Sequence, residues 1–151
     1  MELIEKYNLS SLTNSEKRSL ILNILYTLEL IDYETTEEEV LDLYSQNFNI
    51  LLDEDESSKI KILYTIKNIN IKKKELDRNI LDFLDKWTLD RVSVINKLIL
   101  RYAVWEIVYE KADAALVINE AVELAKGYAE SESYRFINGI LDAFVKRKNN
   151  N

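Results

Sequence analysis

Chemistry needs nucleophiles, bases and metal ligands, and this chain offers few. It has no histidine and no cysteine. Imidazole ligands, histidine proton transfer, thiolate zinc sites, cysteine nucleophiles and disulfides are therefore excluded. It has no proline and only two glycines, Gly127 and Gly139, so a Gly-rich phosphate loop is excluded too. Carboxylates are abundant, as in Asp53–Glu56, Glu37–Glu39 and Glu120–Glu123. Hydrolysis by a carboxyl pair needs a set separation in a cleft and pKa values pushed apart, which adjacent acids in solvated segments do not provide. Asp53, Asp55 and Glu56 superficially suggest a calcium loop, but the central glycine and the alternating ligands are missing. Lys72, Lys73 and Lys74 can meet phosphate, although three lysines at a helix start ordinarily serve solubility. No catalytic residue, metal site or cofactor is expected.

Polar residues inside apolar runs say more. Arg101 and Glu106 interrupt one run, Asn119 and Glu120 a second, and Asn138 a third. Buried polar groups must be paired. These five are expected to form a buried polar network across helices and to matter for folding. Gly139 beside Asn138 costs a helix about 1 kcal/mol relative to alanine. Close approach of another helix is the expected compensation.

The elements that carry these residues read as helices throughout. Thr13 with Glu16, and Thr36 with Glu39, have capping-box spacing, a hydroxyl followed three residues on by a carboxylate. The first precedes Leu20, Ile24, Leu28 and Ile31; the second precedes Val40, Tyr44, Phe48 and Leu51. Ser58 opens a segment with Ile62, Ile66 and Ile69, and a fourth carries Leu76, Ile80, Phe83, Leu84 and Trp87. Asp90 is expected to cap a fifth helix, Asp113 a sixth, and Ser131 or Ser133 a seventh. Apolar residues recur at three and four, and turn dipeptides are lacking, so strands are not expected.

The predicted fold is all-α, about seven helices in two small packed bundles. The expected organisation is an N-terminal extension over 1–13, one helical domain over 14–148, and a polar tail over 149–151. Lobes are expected at about 14–87 and 88–148. The net charge is −7, unevenly spread. Residues 29–56 hold eleven acids and no base, and residues 57–74 hold six lysines and no acid. Solvated helix faces explain such blocks, as do separate acidic and basic contact surfaces. No stretch is apolar and long enough to span a bilayer, and no signal peptide is visible, so a cytoplasmic protein without membrane contact is expected. A monomer or weak homodimer is expected.

Residues 89–107, LDRVSVINKLILRYAVWEI, residues 118–126, INEAVELAK, and residues 135–142, RFINGILD, resemble the NusB transcription antitermination family in order and spacing. The resemblance runs from about Lys17 onward and includes Leu25–Tyr26 in the first helix. It implies an all-helical, non-enzymatic RNA-binding factor. Its implied partners are a boxA-type single-stranded leader RNA, the small-subunit ribosomal protein NusE, and the RNA polymerase antitermination complex, notably on rRNA operons. The family's first helix opens with an arginine-rich cluster. Here Asn14, Ser15, Glu16, Lys17 and Arg18 stand there, so Lys17 and Arg18 alone keep the charge for phosphates, with Tyr26 to stack on a base. The depleted cluster motivates a second reading, an interaction module of the complex with little RNA binding of its own. A third is the accessory domain that RNA methyltransferases carry on this fold; 151 residues leave no room for their catalytic domain.

Overall fold

The computed structural model describes residues 7–51, 56–84 and 88–150. The elements run β1 (Tyr7–Asn8), α1 (Asn14–Leu30), α2 (Glu37–Asn47), β2 (Ile50–Leu51), α3 (Glu56–Ile71), α4 (Lys73–Leu81), α5 (Val94–Val108), α6 (Ala114–Tyr128) and α7 (Ser133–Asn149). The all-α class holds, with seven α-helices among the described residues. One departure occurs among the described residues: β1 and β2 form a two-residue parallel bridge, Tyr7 opposite Ile50 and Asn8 opposite Leu51. It is too short to be a sheet in energetic terms.

The chain divides into two compact units, Met1–Asn68 and Ile69–Asn151. The division falls inside α3, whereas the sequence reading puts the border of the lobes near residues 86–90. The reason is α4, which packs on α5 and α7 and so belongs with the second unit. In the first unit α1 packs on α2, burying Leu20, Ile21, Leu22, Ile24, Leu25 and Leu28 of α1 and Val40 and Leu41 of α2. In the second, α5 is the central element, touching α4, α6 and α7. It is buried along most of its length, from Leu98 to Trp105 and again at Ile107.

Caps set the helix starts. Thr13 Oγ1 accepts from Glu16 N at 3.1 Å, and Glu16 Oε1 accepts from Thr13 N at 2.9 Å, a complete capping box. At α2, Thr36 accepts from Glu39 N at 3.2 Å, while the Glu39 carboxylate takes the Thr35 hydroxyl. Asp113 caps α6 through Leu116 N at 3.3 Å. Two expected caps move. Ser93, not Asp90, caps α5 through Asn96 N at 3.2 Å, because Asp90 lies in a short 3-10 turn. At α7 the N-cap is Glu132, whose φ of 74° turns the chain, and Ser133 is already helical. The third helix starts at Glu56, ahead of Ser58. Trp87, Asp53 and Asp55 lie outside the described residues.

Neither glycine serves a turn. Gly127 and Gly139 sit inside α6 and α7. The left-handed positions fall to Asp32, Tyr33, Asn49, Lys111 and Glu132, with φ between 52° and 74°. Asp32 and Tyr33 close α1 as a glycine normally would, with Tyr33 N donating to Leu28 O at 2.9 Å. A methyl at Gly139 would meet nothing within 4 Å, so close helix approach does not explain this glycine.

Candidate nucleic-acid interface

The residues proposed from sequence to meet RNA lie on α1. The capping box fixes where the helix begins and turns the Glu16 carboxylate back onto the Thr13 amide. That backbone hydrogen bond, with a smaller contribution from the Thr13 hydroxyl, holds the Glu16 carboxyl below its ordinary range. Lys17 closes the first turn and Arg18 opens the second, both half-buried. Tyr26, two turns on, is 37% exposed.

At about 100° per residue, Arg18 and Tyr26 are separated by roughly 80° around α1 and about 12 Å along it. They share a side of the helix. Lys17 lies about 180° from Tyr26, on the opposite side. A strand running over Tyr26 can meet Arg18, but not both cations in one track.

The flank of α1 at Asn23 and Thr27 is held by α2. The hydroxyls of Tyr44 and Thr27 are 2.9 Å apart, and Tyr44 also donates to Asn23 O at 3.3 Å. Phe48 stacks on Tyr44 with centroids 5.8 Å apart and planes 10° from parallel. Phe48 is 61% exposed and Leu43 54% exposed. Sequence periodicity assigns Tyr44 and Phe48 to a core face; in the structure they form an aromatic edge beside α1. One acid of α2 is compensated within the unit: Glu38 pairs with Lys67 of α3. The hydrogen bond lowers the Glu38 carboxyl and raises the Lys67 ammonium relative to their ordinary values.

The five expected network residues separate. Arg101 is buried, and its guanidinium grips Asp77 of α4 through Nε at 2.6 Å and Nη2 at 2.8 Å. Glu106 and Glu120 are half-buried, each with an interaction partner. Asn119 and Asn138 are exposed, which corrects the expectation that they are buried. The reason is helical phase. On α6 the buried face is Val117, Ala121, Leu124 and Ala125, and on α7 it is Ile137, Ile140, Leu141 and Phe144. At about 100° per residue, Asn119 is roughly 175° from the centre of its helix's buried face, and Asn138 roughly 110° from the centre of its own. A polar residue next to apolar ones in sequence need not share their face. Asp77, the partner that matters, lies in the polar stretch KKELDRN of α4 and carries no signal in sequence.

Among the described residues no cluster of acids could hold a metal ion, and no helix is long and apolar enough to cross a membrane.

Residues 15–146 match the NusB family. The transcription antitermination protein NusB of Macrococcus caseolyticus is 31% identical over 139 residues, covering 91% of this chain and 99% of its own. That of Thermodesulfovibrio yellowstonii is 35% identical over 145 residues, covering 87% and 90%. The structure of T. maritima NusB superposes with a TM-score of 0.76 at 31% identity, over 89% of this chain and 92% of that one. A chain from the crystal structure of a plectonemic RNA supercoil shares the fold, with a TM-score of 0.74 at 23% identity. With the helical order, the α1 start and the match over nearly its whole length in agreement, this chain belongs to the NusB family.

Proposed function

We propose that the chain is a transcription antitermination factor that binds boxA-type single-stranded RNA together with the ribosomal protein NusE. It acts as an adaptor to elongating RNA polymerase, in the cytoplasm, and performs no catalysis. Family membership supports the antitermination role. The observation that carries the RNA reading is the exposed Tyr26 on the same side of α1 as Arg18. An unpaired base can stack on such a ring while a guanidinium meets the adjoining phosphate. The five polar residues Arg101, Glu106, Asn119, Glu120 and Asn138 are assigned no RNA contact.

The placement of Lys17 away from Tyr26 and the net charge of −7 favour a second reading, in which the chain binds protein partners and contributes little to RNA affinity. The test is binding of labelled boxA and scrambled RNA to the complex with NusE, comparing wild type with Tyr26→Ala. Loss of the boxA preference supports the first reading. An unchanged preference supports the second.

A further inference from the structure

We propose that Lys72, Lys73 and Lys74, backed by Tyr109, form a second contact for the phosphate backbone of single-stranded RNA. The proposal rests on the RNA-binding reading above and adds a surface on the second unit to it.

The starting observation is charge. In a chain of net −7, residues 57–74 hold six lysines and no acid. Three of those lysines are consecutive, at the junction from α3 to α4. Consecutive like charges repel, and placing them together costs the folded chain unless something offsets the cost. The first acid after the run is Glu75. Its carboxylate accepts the Tyr109 hydroxyl from the end of α5, which occupies one of its oxygens with a neutral donor. That bond pushes the Tyr109 phenol above its ordinary range, so the hydroxyl keeps its proton at neutral pH. Glu75 keeps its own charge, and the three lysines exceed it by two.

The same tyrosine positions the run. The Lys72 ammonium sits 4.3 Å from the Tyr109 ring centroid, within cation–π range. Lys72 and Lys73 are half-buried, and Lys74 is exposed. One ammonium is thus placed on a ring, and the exposed Lys74 reaches outward. Ammonium groups on flexible stems meet phosphates as point charges and read no sequence. One face of the Tyr109 ring is taken up by Lys72, so the patch fits a backbone and not a base. Its contribution is to affinity and salt dependence, equally for every RNA sequence.

The experiment is a salt titration of affinity for labelled boxA and scrambled single-stranded RNA, starting at low ionic strength. It compares the full chain with a Lys72→Gln, Lys73→Gln, Lys74→Gln triple variant, a triple Lys→Arg variant, and Arg18→Gln. Glutamine keeps helix propensity, and thermal melts confirm folding. Each single-stranded phosphate contact contributes about 0.7 to the slope of log affinity against log salt. The glutamine triple is expected to lower that slope by about 1.4, two contacts at about 0.7 each, weaken both RNAs by the same factor, and be restored by arginine. A glutamine triple with wild-type slope, while Arg18→Gln weakens binding, overturns the inference and leaves the α1 reading standing. No binding by wild type at the lowest salt, with or without NusE, overturns both. Loss of an acidic protein's binding in the glutamine triple, with RNA binding intact, reassigns the patch to that partner.

Discussion

Arg101 of α5 and Asp77 of α4 form a two-pronged ion pair inside the second unit, with Nε–Oδ1 at 2.6 Å and Nη2–Oδ2 at 2.8 Å. The arginine side chain is 9% exposed and the aspartate 19%. A guanidinium this buried depends on its carboxylate for solvation. Asp77→Ala should therefore destabilise the protein by about 2–3 kcal/mol, toward the lower end for a buried pair because Asp77 keeps some water. Urea unfolding of the variant measures it. A loss under about 0.5 kcal/mol, the usual range for exposed positions, would show that the pair contributes little.

The second prediction concerns α7. Asn138 and Gly139 are exposed, and the glycine has open space around it. Gly139→Ala should raise stability by about 0.5–1 kcal/mol through helix propensity. Asn138→Leu should leave the melting temperature nearly unchanged. Thermal melts of the two variants check both. A sharp drop for Asn138→Leu would mean that its side chain has a partner essential to the fold.

How much of this was readable from sequence follows from which physical signals are local. The α1 capping box is local: a hydroxyl and a carboxylate three residues apart satisfy each other within one turn, and Thr13 and Glu16 do so. Asp113 at α6 is the same case. Asp90 failed because a 3-10 turn intervened and handed the cap to Ser93. The polar network failed on phase, since Asn119 and Asn138 adjoin apolar residues in sequence but face outward. Asp77 could not be seen at all: its role depends on where α4 lands against α5, 24 residues on. On α1, the types Lys17, Arg18 and Tyr26 were legible, but their division between two sides of the helix emerges only with the helical register.

The third prediction is a pH dependence at the α1 start. The Glu16 carboxyl is held below its ordinary range by the Thr13 amide. A folded-state pKa below the unfolded one gives stability that is full above the unfolded value and is lost as pH falls through the folded value. Wild type should therefore exceed Glu16→Gln in stability at neutral pH, and the gap should close in acid below the carboxylate range. Denaturant titrations of both proteins across pH would show this. A gap that persists or widens in acid contradicts the assignment.

The fourth prediction separates affinity from selectivity on α1. Arg18→Glu should weaken RNA binding by a similar factor for every sequence and flatten its salt dependence, as loss of a phosphate contact does. Tyr26→Ala should narrow the gap between boxA and scrambled RNA. Competition binding with both RNAs reads both effects. Equal narrowing by the two variants would mean that the cation and the ring do not have distinct roles.

The most direct test of the RNA-adaptor role is a salt titration of RNA affinity for the chain alone and for its complex with NusE, using boxA and scrambled sequences. With net charge −7 and one cation beside Tyr26, the chain alone should bind weakly. The complex should bind boxA much more tightly, with a steeper salt slope and a clear preference over the scrambled strand. Equal affinities with and without NusE would contradict the partner dependence, and no RNA binding in either state would contradict the adaptor role itself.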